Sequence, residues 1–513
     1  MMARKFALND NSVVVVVGSG AGGGTLSNEL AQKGIDVVCL EAGSRLTFAD
    51  IENDPPLMNE RMGWNDRRIG APVWLCKTVG GTTMRWSGIS LRFQEHEFKA
   101  RTTYGHLEDT TLIDWPLTLE ELGPYYDQAE DKMGVTGTHG IPPSFETSSY
   151  KVLKAGGRKI GYKEITSTRT AINSVARDGR PGCLQIGFCN SGCKIGAKWS
   201  TLYTEIPKAE TTDHFELRTG AMVLKINHDN SGKVTGVIYT DAAGKLHEQK
   251  VRALAVAGNV VETSRLLLNS ASNRFPDGLG NSSGHLGRNY MRHMSSFIFA
   301  VMPGPVNFHR GTRGAGLIMD EQYHKPDRGF AGGYFIESLG SDPETALAFV
   351  GGWGKSTASF IEQYSHLAGA TIVGEDPPRT SNRIVLHTTE RDQYDLPVPV
   401  LEYTMHPNSV AMQRHAIRKS TELYESLGGT DIRATEGEDS RAACHNMGVA
   451  RMSPSPDDGV TNRWGQTHDI SNLFVSDGSV FTSSAAANPT LTIVALAIRQ
   501  ADHIAERMTR REL

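Results

Sequence analysis

Two groups of residues in this chain have the types and spacing to do chemistry. The first is Gly18-Ser19-Gly20-Ala21-Gly22-Gly23, preceded by the valine run Val13 to Val17. A helical stretch to Lys33 follows, then a Gly34 stop and a second apolar run, Ile35 to Leu40, ending on Glu41. Strand, glycine turn, helix, strand and acid in that order form a dinucleotide-binding fingerprint. Gly18 permits the tight turn and Gly20 lets backbone amides approach a pyrophosphate. Gly23 lets the helix lie close on the sheet, its amide-rich N-terminus toward the phosphates. Glu41 stands about 20 residues further on, where a carboxylate accepts from ribose hydroxyls. An acid there would repel a 2′-phosphate, so FAD or NAD is expected over NADP.

The second group is Cys183, Cys189 and Cys193, in a loop rich in glycine, asparagine and serine. A structural zinc site needs a fourth ligand, and no other Cys or His falls between His139 and His214. A disulfide would leave one thiol over. Three thiolates on an amide-rich loop suit an iron–sulfur cluster held at three corners; inert thiols or another metal are the alternatives. Cys39, Cys76 and Cys444 are scattered, and Cys39, inside the second strand, is expected to be a small buried hydrophobe.

The elements that must position these groups follow from periodicity. Thr78 to Gly88 contains a Gly80-Gly81 pair that could open another helix N-terminus. A helix runs from Leu119 to Lys132, capped by Thr118. Phe215 to Thr240 alternates polar and apolar residues and reads as a β-meander. Val251 to Gly258 is a buried strand ending in glycine, followed by a helix from Glu262 through Leu268. Strand-like runs at Ser296 to Met302, Gly333 to Ile336, Arg383 to Leu386 and Val398 to Tyr403 predict a second, mainly antiparallel sheet. A helix from about Asn408 to Leu427 follows. Asn488, before Pro489 and Thr490, reads as an N-cap with proline at the first helical position. The expected class is α/β (α+β). A discontinuous Rossmann-like nucleotide-binding domain (1–100, 200–295 and 440–513) carries a second domain (101–199 and 296–439) with a cysteine loop at 183–193.

The 513 residues, 39% hydrophobic and 21% charged, are those of a globular protein. Lys and Arg total 53 against 57 Asp and Glu, a net charge of −4 without long runs of either sign. Nucleic acid is not expected as a partner. No apolar stretch approaches the ~18 residues that span a bilayer. Met1 to Asn11 lacks the apolar middle of a signal peptide, so the chain is expected in the cytoplasm unless a partner carries an export signal.

Further blocks add specificity: Val79-Gly80-Gly81-Thr82-Thr83, Ala257-Gly258 and His285-Leu286-Gly287-Arg288-Asn289-Tyr290. Cys444-His445-Asn446-Met447-Gly448, Asn472 to Ser479, and Asn488-Pro489-Thr490-Leu491-Thr492-Ile493 complete the set. In this order they resemble the glucose–methanol–choline flavoprotein oxidoreductases across the whole chain. The resemblance is strongest to the branch of FAD-dependent sugar dehydrogenases, which includes gluconate and glucose dehydrogenase FAD subunits and glucoside 3-dehydrogenases. It implies FAD, held by Gly18, Gly20, Gly23, Glu41, Gly80, Gly81, Thr82, Thr83, Val223, Gly258, Asp477, Gly478, Asn488, Pro489 and Thr490. Where family members attach FAD covalently through a histidine before the tryptophan of the Gly-Gly block, this chain has Arg85, so non-covalent FAD is expected.

Alcohol oxidation needs a base for the hydroxyl proton and an acceptor for the carbon-bound hydride. Neutral imidazole, with an ordinary pKa near 6.5, suits the first task and flavin N5 the second. The resemblance places the base on His445 and its second partner on Asn488. The cysteine spacing is similar to the [3Fe-4S] loop of membrane-linked sugar dehydrogenases, although Lys194 stands where those have proline. The resemblance thus implies a sugar or glycoside substrate, with electrons leaving through the cluster to a cytochrome- or quinone-type acceptor. It also implies a small partner subunit that supplies the export signal, placing the protein in the periplasm or at a membrane. An oxidase using O2, or a non-catalytic flavin electron-transfer subunit, are the alternatives.

Overall fold

The computed structural model describes residues 4–63, 68–187, 189–437 and 443–513. The expected boundary at 440 lies outside the described residues. Five parallel strands form the nucleotide-binding sheet, in the order Leu473–Val475, Ala253–Val256, Val14–Val17, Val37–Glu41, Phe215–Thr219. The central valine run is buried on both faces, as parallel sheets require. Strand periodicity splits it: Val15 and Val17 join one core, Val14, Val16 and Cys39 the other. Cys39 is fully buried there, its thiol driven far above the ordinary range by burial.

Two local readings change. Phe215–Thr219 is not part of the meander; it pairs in parallel with Val37–Glu41 and ends the nucleotide-binding sheet. The meander is Met222–His228, Val234–Thr240 and Leu246–Lys250. A half-buried edge strand alternates like a meander strand, so periodicity cannot separate the two. The Gly-Gly block forms a 3-10 turn, Gly81–Met84, rather than an α-helix.

The helix Leu119–Met133 carries the full capping box between Thr118 and Glu121. Its Leu122, Tyr126, Ala129 and Met133 join the core of the nucleotide-binding sheet together with Leu491 and Val494 of the closing helix, Thr490–Thr509.

A second, six-stranded sheet runs in the order Thr430–Ala434, Met294–Val301, Leu367–Gly374, Tyr334–Ser338, Gly316–Ile318, Ile165–Ser167, with every neighbouring pair antiparallel. Met294, Ile298, Ile336, Ala370 and Ile372 face the helices Ser148–Lys159 and Pro407–Glu425. The alternate positions Ser295, Phe297, Glu337, Thr371 and Val373 line a cavity. Phe297, Thr371 and Glu337 are cross-strand neighbours in one row. Arg383–Arg391 and Pro397–Glu402 leave this sheet and pair with each other, and Pro397–Glu402 also pairs with Ile69–Gly70.

Candidate active site

The cavity, of about 500 Å³, lies between the two sheets and runs from Glu41 to His445. Every residue expected to hold the dinucleotide lines it except Gly23 and Gly80. Gly18 has φ +96°, and a Cβ there would sit 2.4 Å from the Ala257 carbonyl oxygen. Gly23 acts through packing, since a Cβ would lie 2.0 Å from the Gly18 carbonyl oxygen. The helix Ala21–Gln32 starts at this turn and opens its free amides on the cavity. Glu41 is buried, accepting from the Ser19 amide (3.0 Å), the Ser19 hydroxyl (2.6 Å) and the Gly43 amide (2.9 Å). Burial raises its pKa, and those donors partly oppose the shift. Asp477 is held by the Thr263 hydroxyl (2.6 Å) and the Ser479 amide (2.8 Å). A glycine cradle, a helix N-terminus and a fixed carboxylate on one continuous cavity fit the pyrophosphate and ribose of FAD.

At the other end, Asn488 Nδ2 lies 3.4 Å from His445 Nε2. The Asn488 side chain does not cap the closing helix, because it turns to His445 and its Oδ1 is buried without a partner. Pro489 and Thr490 start the helix without a side-chain cap. Two residues join the site that the sequence did not single out. The short antiparallel pair of Met291–Arg292 with Asn446–Met447 sets Arg292 opposite Asn446, so the next position places His293 opposite His445. Their Nδ1 atoms are 2.9 Å apart. Glu337 reaches Asn488 from the second sheet, and its Oε1 is also buried without a partner. The only sequence signals were proximity to the block 285–290 for His293 and to the strand run ending at Ile336 for Glu337. Of two tryptophans whose rings could stack on a sugar, Trp86 lines the cavity, and Trp353, 92% exposed, takes no part in it.

Burial pushes His445 down to about 4, so the ring is the neutral, base-competent form at pH 7. Burial pushes Glu337 up to about 8, making it a carboxylic acid that can donate. Two unpartnered oxygens, Asn488 Oδ1 and Glu337 Oε1, and a neutral imidazole thus converge where a substrate hydroxyl can bind. The pH profile follows. Activity should persist well below the ordinary imidazole value of 6.5 and fall only as pH drops through about 4, where His445 protonates. If the protonated form of Glu337 is needed, activity also falls as pH rises through about 8, and Glu337→Gln should remove that alkaline limb. An acid limb centred near 6.5 in brief pH-jump assays would contradict the His445 assignment.

The three cysteines share a loop beside this cavity. The Gln185 amide donates to Cys183 Sγ (3.3 Å), the Lys198 amide to Cys193 Sγ (3.4 Å) and the Arg313 amide to Cys189 Sγ. Lys198 is 1% exposed, and its ammonium donates to the carbonyls of Met84 (3.0 Å), Trp86 (2.8 Å) and Cys189 (2.5 Å). This ties the loop to the Gly-Gly block. Burial raises the pKa of Cys183 to about 11 and raises that of Cys189, each thiol also feeling the charge of its neighbours. Amides aimed at sulfur, with the Lys198 ammonium buried nearby, suit thiolate ligands carrying extra negative charge. Among the described residues the three sulfurs do not all lie within 4.8 Å of one another, as ligands to a single ion would. Neighbouring Asn190 lines the cavity next to Ser87.

Models of the GMC oxidoreductase family match residues 36–295 and 378–497. The chain is 34% identical to 2-methyl-1,2-propanediol dehydrogenase of Mycolicibacterium austroafricanum, over 98% of this chain and 96% of that one. It is 30% identical to paromamine 6'-oxidase of Streptomyces fradiae (96% and 91% covered). To the fructose dehydrogenase large subunit of Gluconobacter japonicus it is 28% identical (96% and 97% covered). The fold matches formate oxidase of Aspergillus oryzae with TM-score 0.71 at 15% identity, covering 99% of this chain and 100% of that one.

Proposed function

Because the chain belongs to the GMC oxidoreductase family of flavin enzymes acting on CH–OH groups, we propose that it is an FAD-dependent dehydrogenase oxidising a sugar or glycoside hydroxyl to a carbonyl. The observation that carries this reading is the convergence of neutral His445, Asn488 and Glu337 on the cavity that begins in the nucleotide cradle. FAD, when bound, supplies the hydride acceptor, N5. His445 Nε2 takes the hydroxyl proton and holds it while the carbonyl forms. Protonated Glu337 and the Asn488 Nδ2 amide are the donors placed to hold the substrate oxygen beside that base, and the positive end of the closing helix opens on the same cavity. The fructose dehydrogenase relative favours a sugar and the propanediol dehydrogenase relative a smaller alcohol. A dye-acceptor screen of glucose, gluconate, sorbitol, glucosides and 2-methyl-1,2-propanediol tests the assignment. Turnover confined to the propanediol would overturn the sugar reading, and no turnover would favour a non-catalytic flavin subunit.

The FAD is proposed to be non-covalent. Arg85 occupies the linkage position and is engaged by Asn59 Oδ1, with the Trp74 ring 5.9 Å away. Mild acid or heat should release the flavin into the supernatant; flavin that stayed with the precipitated polypeptide would refute this.

Cys183, Cys189 and Cys193 are proposed to hold a [3Fe-4S] cluster. Such a cluster passes electrons singly to a cytochrome- or quinone-type acceptor on a partner subunit. The "large subunit" relative supports a partner, and the amides and buried lysine around the thiols support the ligand role. A partner carrying the export signal would place the protein in the periplasm or at a membrane; among the described residues no helix is long and apolar enough to cross one. The second reading, an oxidase, is favoured by the paromamine 6'-oxidase relative. Substrate-dependent oxygen consumption as fast as dye reduction would select it.

A further inference from the structure

We propose that His293 is a positioning residue that fixes the tautomer of His445, keeping on Nε2 a lone pair that Asn488 Nδ2 faces at 3.4 Å and that a substrate hydroxyl takes over from it. The proposal rests on the reading of His445 as the base. The register of Met291–Arg292 with Asn446–Met447 sets the two rings opposite each other, with centroids 4.8 Å apart and planes at 75°. Two neutral imidazoles can share a hydrogen bond only if one facing nitrogen carries a proton and the other does not. The far side of His293 decides which. Its Nε2 lies 3.2 Å from the Ser484 carbonyl oxygen, which can only accept, so this nitrogen must carry the proton. Both rings are neutral, since burial holds each below the ordinary imidazole range. His293 Nδ1 is therefore a lone pair, and His445 Nδ1 must donate to it.

The other end of the chain agrees. Asn488 Nδ2, a donor, faces His445 Nε2, which must then be the acceptor. Donors run one way: Asn488 to His445, His445 to His293, His293 to the Ser484 carbonyl. The opposite tautomer would set N–H against N–H at Asn488 and leave two facing lone pairs between the histidines. In the reaction, the substrate O–H bond breaks and a His445 Nε2–H bond forms. The ring becomes an imidazolium whose Nδ1–H still donates to His293. Because the partner is a neutral ring rather than a carboxylate, it sets orientation without adding charge to a buried site.

The test uses the FAD-loaded full chain. His293→Leu removes the acceptor. His293→Gln restores one, its amide oxygen facing His445 and its NH2 facing Ser484. His293→Leu should lower kcat roughly 10- to 100-fold, as loss of a ligand-orienting partner does, with KM little changed and the flavin spectrum intact. His293→Gln should recover most of it. Nitrogen-15 spectra of histidine-labelled wild type, assigned with His445→Gln, should show His445 protonated at Nδ1 and bare at Nε2. A proton on Nε2 would overturn the proposal, as would Gln and Leu variants that are equally impaired or equally active. If the Leu variant does not retain flavin, the Gln variant and the wild-type spectrum decide. An inactive wild type with the expected tautomer would refute the proposed function and leave this inference standing.

Discussion

His445→Ala should lower kcat with the best substrate by roughly 10²- to 10⁴-fold, the range for removal of a general base, while the protein keeps its flavin and spectrum. The ring is placed to act rather than to hold the fold. Its polar contacts are His293 and Asn488, both in the same site, and its open side faces the cavity. The cradle that grips the nucleotide lies at the cavity's other end, around Gly18 and Glu41, so flavin binding should survive. Among the described residues His293 is the one other histidine that lines the cavity. Its two nitrogens are committed to the Ser484 carbonyl and to His445, and His468 sits against Ser453 and does not line the cavity. Near-normal turnover of a flavin-loaded variant would remove His445 from the mechanism.

Cys189→Ser should abolish iron, expected at about three atoms per chain when the protein is purified anaerobically. Its effect on electron acceptors should split: cytochrome reduction should collapse, while reduction of a small dye that reaches the flavin directly stays near wild type. Cys189 is the proposed ligand whose loss isolates this effect. Its sulfur takes the Arg313 amide and its carbonyl the Lys198 ammonium, and the second contact survives the substitution because it belongs to the backbone. The loop should stay attached to the Gly-Gly block, and a merely unfolded variant would lose both activities. Iron-free wild type with full activity would leave the three thiols structural and select the oxidase.

The parts of the molecule legible in the sequence are those whose cause is local. The glycine turn, the acid at the end of the second strand and the capped helix after Thr118 each follow from a few neighbouring residues, and the structure forms all three. Phe215–Thr219 was misread because its alternation is the same on the edge of a parallel sheet as in a meander. The residues that complete the site were hidden for a different reason. His293 meets His445 only through a two-residue ladder joining segments about 150 positions apart, and Glu337 reaches Asn488 only when the second sheet is laid over the first. Asn488 shows the limit of a local rule. Its sequence context fits a cap, but the side chain is drawn to His445 instead.

The most direct measurement is anaerobic mixing of the isolated, FAD-loaded chain with the sugar and polyol panel while flavin absorbance is followed. It isolates the chemical step from every question about partners, clusters and oxygen. The account predicts that at least one sugar or glycoside bleaches the wild-type flavin, and that the same substrate leaves the flavin of His445→Ala oxidised over the same time. Wild-type flavin that no member of the panel bleaches, though a chemical reductant does so readily, would contradict it.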